Sequence, residues 1–183
     1  MSDATLVVAP DIQSAIWSHL LSGNDGFEPV EQAAFGFAKI TCDQGRTIFH
    51  LVDWVPIEPE GFSNRSGHYI ELTDEMRATL IKRAHNLQAS LIELHSHPFS
   101  SGAEFSPSDL FGFEEFVPHV WWRLKGRPYL AIVVAPNGFD GIAWLTDPRS
   151  PVPLREVLAG DTVLRRTGRT LKRERFKNAK RPI

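Results

Sequence analysis

Apolar residues recur along this chain at two spacings, one typical of helices and one typical of strands. Apolar positions three and four apart predict helices over residues 11–21, from Thr73 onward, and over residues 106–116. Asp11 is a candidate cap for the first helix, and Thr73, which precedes two acidic residues, is typical of a helix N-terminus. These three segments supply the helical part of the fold.

The remaining apolar segments are short and predict strands. They cover residues 32–41, 46–55, 68–72, 90–95, 129–134 and 141–145. Residues 43–45 suit a hairpin turn, so the first two strands should pair antiparallel, whereas residues 56–67 predict a loop or insertion. We therefore expect an α/β domain, more closely α+β, with a mixed sheet flanked by helices.

Length and composition favour a single globular domain. The chain has 183 residues, of which 42% are hydrophobic and 23% charged. Its longest apolar run, residues 129–135, is too short to span a membrane, and the start carries Asp3 without a basic cluster, so we expect a cytoplasmic protein. Because Cys42 is the single cysteine, an internal disulfide and a cysteine-built zinc site are excluded, and any metal must be held by His, Asp and Glu.

Charge divides the chain into an acidic body and a basic end. Residues 161–183 carry nine basic and two acidic residues, whereas the rest carries 11 basic and 20 acidic. We therefore predict a domain over residues 1–160 and a basic C-terminal tail over residues 161–183. Such a tail can bind an acidic partner, but Phe176 is its one aromatic residue, so the pattern favours a solvated terminus over nucleic-acid binding.

The strongest chemical signal lies in residues 93–98, ELHSHP, and residues 106–109, SPSD. On a strand, His95 and His97 point to the same side, so both imidazoles can reach one ion. The proline that follows ends the strand and lets the chain return with Asp109 as a third ligand. Two His and one Asp leave the fourth position of a tetrahedral Zn²⁺ open for water, as in catalytic sites.

Each part of this pattern also has a simpler explanation. Ser106 and Asp109 suit the cap and first turn of a helix, and a histidine outside such a pattern is usually a packed or surface residue. A cupin would also use His-x-His, with Glu104 near its next ligand position, but on an all-β fold. An amidohydrolase barrel needs about 250 residues. The combination of the two short motifs favours a metal site.

These residues resemble the motif of the JAMM or MPN-plus metalloproteases, also called the JAB domain. The family's pattern is an upstream Glu, His-Ser/Thr-His-Pro, a short loop and Ser-x-x-Asp. The matching residues are His95, Ser96, His97, Pro98, Ser106 and Asp109. The family usually has seven residues between the second His and the Ser, whereas this chain has eight. The resemblance covers roughly residues 9–145 and implies a single cytidine-deaminase-like, MPN-type domain.

The resemblance also implies a role for each residue. One Zn²⁺ per chain would be held by His95, His97 and Asp109, and Ser106 would donate a hydrogen bond to the oxyanion of the reaction. The family's catalytic Glu lies on an early strand before small residues, a place that Glu31 occupies.

Two other glutamates compete with Glu31 for the role of base. They are Glu28 and Glu93. Glu93, on the same strand face as His95, more naturally orients that imidazole from outside the ligand set.

The implied activity is hydrolysis of the peptide or isopeptide bond after the C-terminal glycine of ubiquitin or a ubiquitin-like protein. The chain is most similar to stand-alone prokaryotic JAB proteins, which accompany ubiquitin-like conjugation, sulfur-carrier or antiphage systems. Partners would be the ubiquitin-like protein, its conjugates, and the activating or conjugating enzymes of that system. Residues 56–67 and 102–105 are candidate substrate contacts. The alternative is a non-catalytic MPN-type scaffold that binds a partner.

A group of aromatic residues leaves a second question open. They can form part of the core or a partner surface, and they are Phe111, Phe113, Phe116, Trp121 and Trp122.

Overall fold

The structure is a computed structural model that describes residues 3–22, 29–99 and 102–170. Within these ranges it contains three α-helices and ten strands, which confirms the predicted mixture of helix and sheet. The elements are β1 (Ala4–Val8), α1 (Pro10–Leu21), β2 (Ala33–Asp43), β3 (Arg46–Pro56), β4 (Phe62–Arg65), β5 (Ile70–Leu72), α2 (Asp74–Asn86), β6 (Ser90–Ser96), α3 (Pro107–Arg123), β7 (Tyr129–Ala135), β8 (Gly138–Trp144), β9 (Val152–Ala159) and β10 (Thr162–Arg165).

The main sheet closes on itself. Its strand order is β1-β3-β2-β6-β7-β8-β9, and β9 pairs in parallel with β1, which makes a seven-stranded mixed barrel with β10 attached to β9. The mixed character of the sheet agrees with the sequence analysis, but its closure was not predicted. The strands that close it, β1 and β9, were missed because β1 is short and β9 is interrupted by Pro153 and two charged residues.

The predicted β2–β3 hairpin is confirmed. The two strands pair antiparallel, and Gln44 and Gly45 between them have φ angles of 47° and 79°, as a tight hairpin turn requires. The predicted loop over residues 56–67 is more ordered than expected. It contains a short 3₁₀ turn, Pro59–Gly61, and β4, which pairs with β5 in a separate two-stranded sheet.

The helices differ from the predictions mainly at their ends. Asp11 lies in the first turn of α1, whose N-cap is Ala9, so the predicted cap is wrong. Thr73 does cap α2, because its side chain accepts a hydrogen bond from the Met76 N–H. Helix α3 runs past the predicted end at residue 116 and contains Pro118. Burial of its apolar face offsets the backbone hydrogen bond that this proline cannot make.

Strand β6 is buried on both faces, and this places the candidate site. Leu91 belongs to the core covered by α2 and α3, whereas Ile92 and Leu94 belong to the core covered by α1. Since side chains alternate along a strand, Glu93 and His95 face the α2 and α3 side. The site therefore lies where β6 ends beneath these two helices.

The predicted tail begins as part of the fold. Strand β10 pairs with β9, and Thr170 is 2% exposed. Residues 171–183 lie outside the described residues. In the described ranges, no helix has both the length and the apolar character needed to cross a membrane. The cytoplasmic location remains a prediction.

Candidate metal centre

His95 and His97 come together at the end of β6 as their spacing predicts. Their ring centroids are 5.1 Å apart. His95 is almost completely buried, and the side chain of His97 is 13% exposed. One imidazole is thus fixed in the interior while the other borders on solvent.

Sheet register brings Glu31 to the same place. Ala33 pairs with His95 across the antiparallel β2–β6 ladder. The Ser96 N–H donates to the Gln32 carbonyl and continues this ladder by one residue, while the Gln32 N–H donates to the Ser96 hydroxyl. The same register places Glu31 opposite His97, and Glu31 Oε1 lies 3.7 Å from His97 Nε2. Glu31 is 3% exposed, so its carboxylate is directed into the site. Of its predicted rivals, Glu28 lies outside the described residues.

Asp109 serves as both a helix cap and a member of the cluster. The Ser106 side chain accepts a hydrogen bond from the Asp109 N–H at 3.1 Å, and Asp109 Oδ2 accepts one from the Ser106 N–H at 2.7 Å. The same oxygen lies 3.5 Å from His95 Nε2 and 3.2 Å from His97 Nε2. The capping and metal-binding interpretations are therefore compatible, since the capping box aims the carboxylate at the histidines.

The geometry of this cluster fits a tetrahedral metal ion. Ligand atoms of His95, His97 and Asp109 all lie within 4.8 Å of one another. In a tetrahedral zinc site with bonds of about 2.0–2.2 Å, neighbouring ligand atoms are about 3.3–3.6 Å apart, close to both separations from Asp109 Oδ2. Neither ring nitrogen of His95 has a hydrogen-bond partner among the described residues, although both are buried. An ion at Nε2 would satisfy one of them.

Glu93 and Tyr129 lie behind His95, on the side away from Asp109. Glu93 Oε1 is 3.8 Å from His95 Nδ1, and Glu93 Oε2 accepts a hydrogen bond of 2.6 Å from the Tyr129 hydroxyl. A carboxylate behind a ligating imidazole is common in metal sites, where it fixes the orientation of the ring. This position favours an orienting role for Glu93. Sequence reasoning missed Tyr129, although a tyrosine at the start of an apolar strand needs a polar partner once it is buried.

Burial and neighbouring charges shift the pKa values of these groups. Burial raises the pKa of Glu31 and of Glu93 above the ordinary range, against the opposing effect of nearby histidines. Burial disfavours the charged form of His95, but Asp109 and Glu93 outweigh it and raise the pKa of His95 to about 9. Burial would likewise raise the pKa of Asp109, but the two histidines hold it below its usual range. The protein groups alone thus favour a His95–Asp109 ion pair, whose proton a metal would displace.

A cleft of about 960 Å³ opens beside the cluster, between β5 and helices α2 and α3. His95, Asp109 and Glu93 lie along it, together with apolar side chains such as Ile81 and Phe113. The cleft therefore reaches two of the three candidate ligands, His95 and Asp109.

The aromatic residues of α3 divide into buried and exposed groups. Phe113 is in the core, and Phe116 and Trp121 pack against it, whereas Phe111 and Trp122 are 63% and 73% exposed. The five aromatic residues therefore do not form one continuous surface.

Comparison of the sequence with models of known protein families finds no match, and no curated protein matches it. The function is therefore inferred from the residues and geometry of this cluster.

Proposed function

We propose that this protein is a zinc-dependent peptidase or isopeptidase of the JAMM type, acting after the C-terminal glycine of ubiquitin or a ubiquitin-like protein. The observation that carries the proposal is the meeting of His95, His97 and Asp109 with a fourth, buried side chain, Glu31, 3.7 Å from His97. Three ligands plus an adjacent carboxylate are typical of a hydrolytic zinc site. The closed barrel differs from the sheet arrangement that the MPN-type resemblance implies, so the proposal is supported by the residues of the site and not by the fold.

The three ligands would hold one Zn²⁺, which when bound supplies a Lewis acid that lowers the pKa of water. Glu31 is the proposed general base, because it is buried next to the ligands and is not itself one of the three. It accepts the proton of the attacking water and delivers it to the leaving amine, a role typically worth about 10²- to 10⁴-fold in rate.

Ser106 is the proposed donor to the developing oxyanion. The Ser106 oxygen already accepts a hydrogen bond from the Asp109 N–H, which leaves the hydroxyl proton free to be donated to a substrate. The Ser108 hydroxyl oxygen lies 3.1 Å from the Ser106 oxygen. A preorganised donor of this kind is worth about 3 kcal/mol in the transition state. The substrate class, and any activating or conjugating enzymes as partners, follow from the motif resemblance.

The geometry favours an enzyme over the non-catalytic scaffold. A scaffold that has lost its metal has no need for a complete ligand set or for a buried glutamate beside it, and a buried carboxylate is costly unless it is used or paired. A cupin-like site is not favoured either, because Glu104 is not in the converging group and the described fold includes three helices.

Metal analysis and a cleavage assay test this proposal. The purified protein should contain about one zinc per chain, and a chelator should abolish cleavage of a ubiquitin-like protein fused through its C-terminal glycine to a reporter. Glu31→Gln should keep zinc and lose at least about a hundredfold in rate. Glu114→Gln, on an exposed position of α3, is the matched control and should cleave at the wild-type rate.

Three results would count against the proposal in different ways. A wild-type protein that binds no zinc rules out the metalloenzyme. Zinc binding without cleavage of any peptide bond favours a binding role. If the Glu31→Gln variant binds zinc and cleaves at the wild-type rate, another residue must be the base, and Glu93 is the first to test.

A further inference from the structure

Residues 102–105, which precede α3, are largely buried, in contrast to the expected substrate contact there. Ala103 and Phe105 are 0% and 1% exposed. Residues 102–105 are covered by residues 166–170, the last described part of the chain, which we call the clasp. Because the clasp covers residues 102–105, these residues are not accessible to a substrate.

Two hydrogen bonds tie the clasp to this loop. The Thr167 hydroxyl donates to the Ala103 carbonyl at 2.6 Å, and Thr170 Oγ1 accepts from the Phe105 N–H at 3.0 Å. Thr170 is 2% exposed, so the second bond lies in the interior. Breaking a buried bond of this kind leaves the Phe105 N–H without a partner, which is costly.

The other side of the clasp is anchored to β8 through a buried carboxylate. Asp140 is 0% exposed, and its oxygens accept hydrogen bonds from the Thr170 N–H at 2.9 Å and the Gly141 N–H at 3.0 Å, with the Arg166 guanidinium at 3.4 Å. The Thr167 N–H also donates to the Phe139 carbonyl at 2.8 Å. A buried charge with several donors holds its neighbours in one arrangement.

Phe105 connects this anchor to the metal cluster. Its ring centroid lies 5.6 Å from that of His95 and 5.3 Å from that of Phe113. Phe105 also directly precedes Ser106, the N-cap that aims Asp109. A shift of the Phe105 backbone would therefore displace two ligands at once.

We infer that Thr170, held by Asp140, is a positioning residue for the metal site. It fixes the Phe105 N–H and thereby the relative placement of His95 and Asp109. This inference rests on the proposed function, which assigns a metal to these ligands. It extends the site to Thr170, which lies outside the motif. The basic end of the chain thus starts as a structural support of the site.

Zinc affinity of Thr170 variants tests the inference. Thr170→Val keeps the shape and loses the acceptor, and should weaken zinc binding about 10- to 100-fold in a chelator competition assay, the usual range for residues behind the ligands. Thr170→Ser restores the oxygen and should bind within about twofold of wild type. Thr5→Val is the matched control, since Thr5 is also 2% exposed and its hydroxyl has no partner among the described residues.

Hydrogen exchange supplies a measurement that needs neither zinc nor a variant. In the wild-type protein stripped of metal, the Phe105 amide should exchange as slowly as buried amides of β6. Rapid exchange, or zinc binding by Thr170→Val within twofold of wild type, overturns the inference. A slow Phe105 amide in a protein that binds no zinc instead overturns the proposed function and, with it, the positioning role, while leaving the clasp as a structural tie.

Discussion

Replacing Ser106 by alanine, compared with loss of a helix cap elsewhere, separates the two roles that this side chain is proposed to have. As an N-cap it uses its oxygen as an acceptor, 3.1 Å from the Asp109 nitrogen. As an oxyanion donor it would use its hydroxyl proton. Alanine removes both. Stability should fall because the cap is lost, and activity should fall because the oxyanion donor is lost.

The two losses can be estimated from the structure. Loss of a Ser or Thr cap costs about 1 kcal/mol, and in a chain of this size each kcal/mol lowers Tm by about 2–4 °C. The second bond of the capping box, from the Ser106 N–H to Asp109 Oδ2, survives the change. Loss of an oxyanion donor costs about 10²- to 10³-fold in kcat. The effect on rate should therefore exceed what the small effect on stability can explain.

The assay compares Ser106→Ala with a cap variant away from the site. Thr73→Ala removes the equivalent bond to the Met76 N–H at the start of α2. It should lower Tm by a similar amount and leave cleavage unchanged. Thermal unfolding, zinc content and cleavage of the reporter fusion are measured for both variants.

Equal cleavage rates for the Ser106→Ala and Thr73→Ala variants, with zinc bound in each, would refute the oxyanion role and leave Ser106 as a cap. A loss of zinc from Ser106→Ala would instead show that the cap is needed to hold Asp109 in place. Ser106→Thr keeps both the acceptor and the donor, and it should retain most of the activity.

Three further predictions follow from the site. Tyr129→Phe removes the hydroxyl that donates to Glu93 and should weaken zinc binding about tenfold, whereas binding within twofold of wild type in a chelator competition would contradict the orienting role of Glu93. In the protein stripped of metal, the pKa of His95 is raised from 6.5 to about 9, so its contribution to the free energy of unfolding is complete below pH 6.5 and is lost as the pH rises through 9. Urea unfolding between pH 6 and 10 measures this decline, and a rise in the stability of wild type relative to His95→Gln over this interval would contradict it. Zinc at a hundred times its Kd should stabilise the protein by about 2.7 kcal/mol, which thermal unfolding with and without chelator detects, and no shift in Tm would argue against a specific site.

Several parts of the candidate site could be predicted because they are local. The His95 and His97 pair needs only the alternation of side chains along one strand. The capping box of Ser106 and Asp109 needs only the first turn of one helix. In each case the residues lie within one short stretch of the chain, so the local sequence is sufficient to predict their geometry.

Other parts depend on which strands pair. The place of Glu31 opposite His97 follows from the β2–β6 register, and a shift of one residue would turn Glu31 to the other face. The resemblance indicated this glutamate, but the residue pattern alone did not exclude its rivals. The bond between Tyr129 and Glu93 likewise requires β7 to lie next to β6, which no local pattern specifies.

The sequence by itself determined the helices, most of the strands and the identity of the three candidate ligands, since each depends on spacing within one element. The tertiary structure alone decided that the sheet closes through β1 and β9, that Tyr129 supports Glu93, and that residues 166–170 cover the loop before α3. These contacts join residues far apart in the chain. They form because the fold must bury both faces of β6 and must pair most of its buried polar groups at the same time. These conditions apply to the whole fold and not to any single segment.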